Sequence, residues 1–114
     1  MKAKFVKAAL VATTALIAAA GQAHAEDDIL VGLIAGTTGA YGSTGVATVN
    51  GAMLAVEKIN ADGGVLGRKI KLEWYNDNAS ATLSGQFYAK LVSNGAVAIA
   101  GSPDTGPTTA ELAI

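Results

Sequence analysis

The chain contains no cysteine, which removes disulfides, thiolate metal sites and cysteine nucleophiles together. It also removes the residue that would carry a lipid anchor just behind an export signal. Histidine is almost as scarce: the only one, His24, lies in an amino-terminal segment with the pattern of a cleaved leader. No mechanism in the remainder can therefore use an imidazole, and a Ser-His arrangement is excluded within it. A basic surplus is missing as well. Eight Lys and Arg against nine Asp and Glu leave a formal net charge of −1, and the positive residues outside the leader are scattered, so the electrostatic footprint of nucleic-acid binding is absent. Neither HExxH nor GxSxG occurs, and no run reaches the roughly 20 consecutive apolar residues of a membrane span.

What is present begins with an export signal. Lys2, Lys4 and Lys7 give a basic start, Ala8 to Ala20 is apolar and uncharged, and Ala23-His24-Ala25 forms an A-x-A site before Glu26, Asp27 and Asp28. These three features in succession read as a secretory signal peptide over residues 1–25. The mature chain then starts at Glu26 and is expected in the periplasm, outside the bilayer once the leader is removed. It has enough residues for a marginal core. Its last residues, Glu111 to Ile114, fall in a helix-like run without a stop signal, so the mature part, 26–114, reads as truncated.

Along that part, Asp28 to Ala35 is a short apolar run, the pattern of a central parallel strand buried on both faces. Gly36 to Gly45 reads as a loop. Val49, Met53, Val56 and Ile59 then recur at helical spacing from about Gly45 to Asp62, with Ser43 or Thr44 suited to cap the start and Gly63-Gly64 to stop the end. Lys69 to Trp74 alternates polar and apolar residues, which predicts a half-exposed strand near a sheet edge with Trp74 packing on its apolar face. Asn76-Asp77-Asn78 is rich in acceptors and reads as a turn in preference to a metal loop, since the spaced acids of a calcium site are missing.

Leu83, Phe87 and Leu91 place a second apolar stripe on a helix from about Ala81 to Ser93, ended by Asn94-Gly95. Ala96 to Ala100 is the next buried strand, followed by the loop Gly101 to Gly106. A third helix starts beyond it. Pro107 suits its first position with Thr105 or Gly106 as cap; Thr108 with Glu111 offers a competing Thr-x-x-Glu capping box. Strand and helix thus alternate three times, the signature of an α/β fold with an open, mostly parallel sheet and flanking helices. Ligands of such sheets sit beyond the carboxyl ends of the strands. Both loops lie on that edge.

Ile29 to Ile99 resembles the amino-terminal part of the branched-chain amino-acid binding proteins of ABC transporters, which have the type I periplasmic binding fold. The matching pieces are Val31-Gly32-Leu33-Ile34 leading to Thr38-Gly39-Ala40-Tyr41-Gly42, then Gly51-Ala52 with Ala55 to Asn60, and above all Ile59-Asn60-Ala61-Asp62-Gly63-Gly64-Val65-Leu66-Gly67-Arg68-Lys69-Ile70. The register continues through Tyr75-Asn76-Asp77 and Lys90-Leu91-Val92. The resemblance implies the first part of one lobe of a two-lobed clamp. It further implies a small-molecule solute, an amino acid or analogue, together with inner-membrane permease and ATPase subunits as partners. No cofactor and no catalysis are implied.

In relatives that bind amino acids, the loop after the third strand holds the ligand carboxylate through backbone amides and a hydroxyl. That position here carries Thr105-Gly106, next to Pro103 and Asp104, while Tyr41 matches a contact from the first loop. These five are the candidate ligand-binding residues. Asp104 departs from the pattern, because a carboxylate repels a ligand carboxylate unless it turns away or pairs with an ammonium group. A disulfide found between these regions in some relatives is excluded here. Two rival readings use the same residues. A ligand-sensing receptor domain shares the fold, and Gly36 to Gly42 spells a GxxGxxG loop like that of some nucleotide-binding dehydrogenases, although the strand that should present an acidic residue about 20 positions later ends only at Asp77, much too late.

Overall fold

The computed structural model describes residues 27–114; the expected leader and its cleavage site lie outside them. Strands β1 (Ile29–Ile34), β2 (Ile70–Tyr75) and β3 (Ala98–Ala100) alternate with helices α1 (Gly42–Ala61), α2 (Ala81–Ser93) and α3 (Thr105–Glu111). All pairing is parallel, in the order β2-β1-β3. Parallel neighbours cannot be joined by a hairpin, so each strand hands over to a helix that crosses the sheet. Ile29 stands opposite Ile70 and Ile34 opposite Tyr75, while Val31 to Leu33 pair with Ala98 to Ala100.

Successive side chains of β1 point to opposite faces, and each face meets a different helix. Leu33 and Ala35 form a buried cluster with Val49 of α1, flanked by Ala52 and Leu72. On the other face Gly32 lies beneath the fully buried Leu91 of α2, close enough that a Cβ would stand 2.6 Å from the leucine Cδ1. Burial of a leucine contributes about 1.5–3 kcal/mol. Three layers result: α1, the sheet, and α2 with α3 packed beside it.

Exposure departs from the pattern at the sheet's edges. β3 is expected to be buried, yet Ala98 and Ala100 are exposed and Ile99 only half-buried, because β1 covers one side and nothing among the described residues covers the other. On the opposite edge Trp74 is 39% exposed and shares a groove with Met53, itself 54% exposed. The α1 stripe is thus real in spacing but buried in full only at Val49. Tyr75 turns toward α2, where its ring stacks on Phe87 at 4.7 Å between centroids, with Lys90 Nζ 4.6 Å above it. The Tyr75 hydroxyl donates to Glu73, and Asn94 donates to the same oxygen; these bonds hold the Glu73 carboxyl below its ordinary pKa.

Both glycine stops behave as expected. At the end of α1, Gly64 N–H donates to Ile59 O and Gly63 N–H to Asn60 O, with both glycines at positive φ, the paired bonds of a Schellman cap. Gly95 and Ala96 close α2 in the same way on Val92 and Leu91. After the first stop, Val65 and Arg68 exchange backbone hydrogen bonds of 2.8 and 3.0 Å around Leu66 (φ 53°) and Gly67 (φ 81°). Positive φ at both central positions defines a type I′ turn, which favours Asn-Gly. Leu66 is 93% exposed, so its side chain gives nothing back for the left-handed backbone. Leu66→Asn is expected to stabilise the protein by about 0.5–1 kcal/mol, read as a higher urea midpoint at unchanged slope.

Candidate functional site

Three loops leave the carboxyl ends of the strands, and the first two are braced against each other. Asn76 Oδ1 accepts the Thr37 N–H at 3.0 Å and the Asn78 N–H at 2.9 Å. The Thr38 hydroxyl donates to Asn78 Oδ1. Asp77 is fully buried and accepts the Ala79 N–H at 3.0 Å, while its carbonyl accepts from Ser80. Ser80 then caps α2 by accepting the Leu83 N–H. The acceptors of Asn76-Asp77-Asn78 therefore build a turn, as their residue types predict. It is an unusual one, because Asn78 and Ala79 both take left-handed backbone conformations.

The glycine-rich first loop is shorter than expected. A 3-10 turn over Gly39–Tyr41 runs directly into α1 at Gly42, with Tyr41 as N-cap residue and no side-chain cap bond. Ser43 and Thr44 are therefore already helical and do not cap. Tyr41 is thereby held at the start of a rigid helix, 54% exposed on the carboxyl side of the sheet.

The third loop also differs from expectation. Helix α3 begins at Thr105 with Asp104 in the N-cap position, and Asp104 makes no side-chain cap bond. Neither Thr105 nor Gly106 is the cap, and Pro107 is the third helical residue. A proline is tolerated there because the first four N–H groups of a helix have no intrahelical partner. No Thr108 capping box forms either: the Thr108 hydroxyl donates to the carbonyls of Ser102 at 2.6 Å and Asp104 at 2.9 Å. These bonds fold the loop back over the first turn of α3.

Tyr41, Pro103, Asp104, Thr105 and Gly106 line one concave recess of about 470 Å³, joined by Ala79 and Pro107. The volume falls within the ordinary range of small-molecule pockets. Uncharged residues make up the rest of the lining, and among the described residues Asp104 is the only carboxyl group in it. Asp104 is half-buried, and its Oδ2 is buried without a hydrogen-bond partner among the described residues. Ala79 carried no sequence signal; its place depends on the left-handed turn that brings the β2 loop to the recess.

A family model for periplasmic binding proteins matches residues 28–113. The chain belongs to this family. It is similar to the Leu/Ile/Val-binding protein BraC3 of Rhizobium johnstonii, with 38% identity over the whole chain and 28% of that protein's length. Among solved structures, the branched-chain amino acid transporter substrate binding protein LivJ of Streptococcus pneumoniae, in complex with isoleucine, superposes with a TM-score of 0.72 at 29% identity, over 75% of this chain and 25% of LivJ. A solute binding protein of an ABC transporter from R. palustris, in complex with benzoate, gives a TM-score of 0.65 at 25% identity, over 75% of this chain and 24% of its own. This member of the periplasmic binding protein family thus spans about a quarter of the length of the relatives it matches. The family's fold is the α/β sheet described above, and the matched relatives are solute-binding proteins.

Proposed function

We propose that the intact protein captures a small polar solute, a branched-chain or related amino acid, and delivers it in the periplasm to inner-membrane permease and ATPase subunits of an ABC importer. The observation that carries this reading is the convergence of Tyr41, Pro103, Asp104, Thr105 and Gly106 on one recess at the carboxyl edge of the sheet. That edge is where open α/β sheets hold ligands. Two relatives matched above are described as complexes with isoleucine and with benzoate; an amino acid suits this recess better than a bare carboxylate, because its ammonium group can pair with Asp104, whose Oδ2 has no partner among the described residues. The Thr105 hydroxyl and neighbouring backbone amides hold the solute, and Tyr41 covers it. The remaining length that relatives possess supplies the opposing lobe. Ligand contacts to both lobes then shift the open and closed populations by their differential affinity.

A thermal-shift screen of the complete gene product against leucine, isoleucine, valine and aromatic acids tests the proposal. At least one is expected to raise the melting temperature in a concentration-dependent way. Thr105→Val, which removes the hydroxyl at nearly constant volume, is expected to weaken that solute about tenfold, the scale of one hydrogen bond to a charged group. Calorimetry reads the loss. No shift with any of these compounds, or full affinity in the valine variant, would contradict the assignment of the site.

A further inference from the structure

One buried carboxyl group is not used by the recess itself. Glu111, the last residue of α3, is only 5% exposed although it carries an ionisable side chain on a short helix. Its Oε1 accepts the Ser84 hydroxyl of α2 at 2.5 Å and the Ser102 backbone N–H at 3.2 Å. Its Oε2 lies against Gly101 so closely that a Cβ on that glycine would stand 2.2 Å away. Ser84 is fully buried, and Ser102 is 6% exposed. Three separate pieces of chain thus meet at one carboxyl group: α2, the end of α3, and the start of the loop that follows β3.

Ser102 passes the restraint on. Its hydroxyl accepts the Asp104 N–H at 3.4 Å, and its carbonyl accepts the Thr108 hydroxyl at 2.6 Å. The recess residues Pro103 to Gly106 lie between these two tethers. Without the carboxyl group, the Ser102 N–H and the Ser84 hydroxyl would be left buried and unpaired, and the loop could regain partners only by swinging toward water. We infer that Glu111 is a positioning residue for the solute site: through Ser102 it fixes the Pro103–Gly106 turn and so sets affinity without touching the solute. The affinity part rests on the functional reading above, and the loop-fixing part does not.

The test uses the full-length protein with L-isoleucine and L-leucine as probes, and pairs calorimetry with amide hydrogen exchange. In Glu111→Ala, exchange at Ser102 and Asp104 is expected to quicken about tenfold or more while Val31 to Leu33 of β1 keep their protection. Affinity is expected to fall about tenfold. Glu111→Gln retains an oxygen at the accepting position and is expected to stay within about threefold of the parent in both readouts. Should the alanine variant fail to fold, Ser84→Ala releases only the α2 arm and is expected to quicken exchange at Ser102 severalfold. Unchanged loop exchange in either truncated variant overturns the inference. So does a uniform rise that includes β1, since that is the mark of general destabilisation. A parent protein that binds neither probe sinks the functional reading alone, and the exchange comparison still decides whether Glu111 holds the loop.

Discussion

Gly45→Ala is expected to destabilise the protein by about 2–4 kcal/mol, against the direction that helix propensity alone would give. Alanine is favoured over glycine inside a helix by about 1 kcal/mol, and Gly45 lies in the first turn and a half of α1. Packing reverses the sign. A Cβ at this buried position would stand 1.9 Å from the carbonyl oxygen of Gly36 and 2.5 Å from its carbon. Those are backbone atoms just past the end of β1, so relief requires moving either the helix or the chain that leaves the central strand. Gly51→Ala, further along the same helix, meets nothing within 4 Å and is expected to stabilise by up to about 1 kcal/mol. The pair of urea titrations separates sterics from propensity: equal and positive effects would deny the close approach. Because Gly36 and Thr37 lead into Tyr41, the function proposed above further requires the Gly45 variant to bind solute more weakly.

The same contact explains why the start of α1 was hard to read. Ser43 and Thr44 have the chemistry of capping residues, and Gly36 to Gly45 has no apolar periodicity to mark a helix. What decides the boundary is contact between residues nine apart, Gly36 and Gly45, and no local pattern encodes it. At α3 local chemistry misled in a similar way. Thr108 and Glu111 have capping-box spacing, but the threonine hydroxyl finds the carbonyls of Ser102 and Asp104 instead, and the glutamate reaches across to Ser84 and Ser102. Where local geometry suffices, the elements form where the local pattern puts them. Gly63, Gly64 and Gly95 stop their helices at positive φ, and the Leu83, Phe87, Leu91 spacing places a helix over the observed α2.

Burial was less legible than element type. The apolar run of β3 resembles that of β1, yet β1 has strands on both sides and β3 has one. Composition reports what a strand tolerates, whereas exposure follows from the number of its neighbours. The recess was legible for a topological reason, since parallel strands bring every following loop to one edge, and Tyr41 and Thr105 had to meet there. Ala79 was not, because an alanine with φ 56° is the outcome of a turn braced by Asn76 and Asp77.

Asn60 carries the second large effect. Its carboxamide donates to Ile70 O at 2.8 Å and accepts from Ile70 N at 2.7 Å, so a side chain near the end of α1 pairs with the first residue of an edge strand as a neighbouring strand would. Asn60→Ala removes both bonds and leaves the half-buried Ile70 amide and carbonyl with poorer partners. At about 1 kcal/mol for each bond and up to a further 1–3 kcal/mol for incomplete solvation, less a small gain in helix propensity, the expected net cost is about 2–3 kcal/mol. Asn60→Asp does not rescue it, because one carboxylate oxygen would then face the Ile70 carbonyl. Chemical denaturation measures the loss, and hydrogen exchange at Ile70 shows whether it is local in origin; parent-like behaviour of both variants would remove the clamp from the account. The consequence extends beyond stability. Ile70 stands opposite Ile29 and Tyr75 opposite Ile34, so the residue that fixes where β2 begins also fixes where it ends. A slip of one position would turn the whole strand to the wrong face and carry Asn76 away from Thr37, releasing the brace on which the first wall of the recess stands.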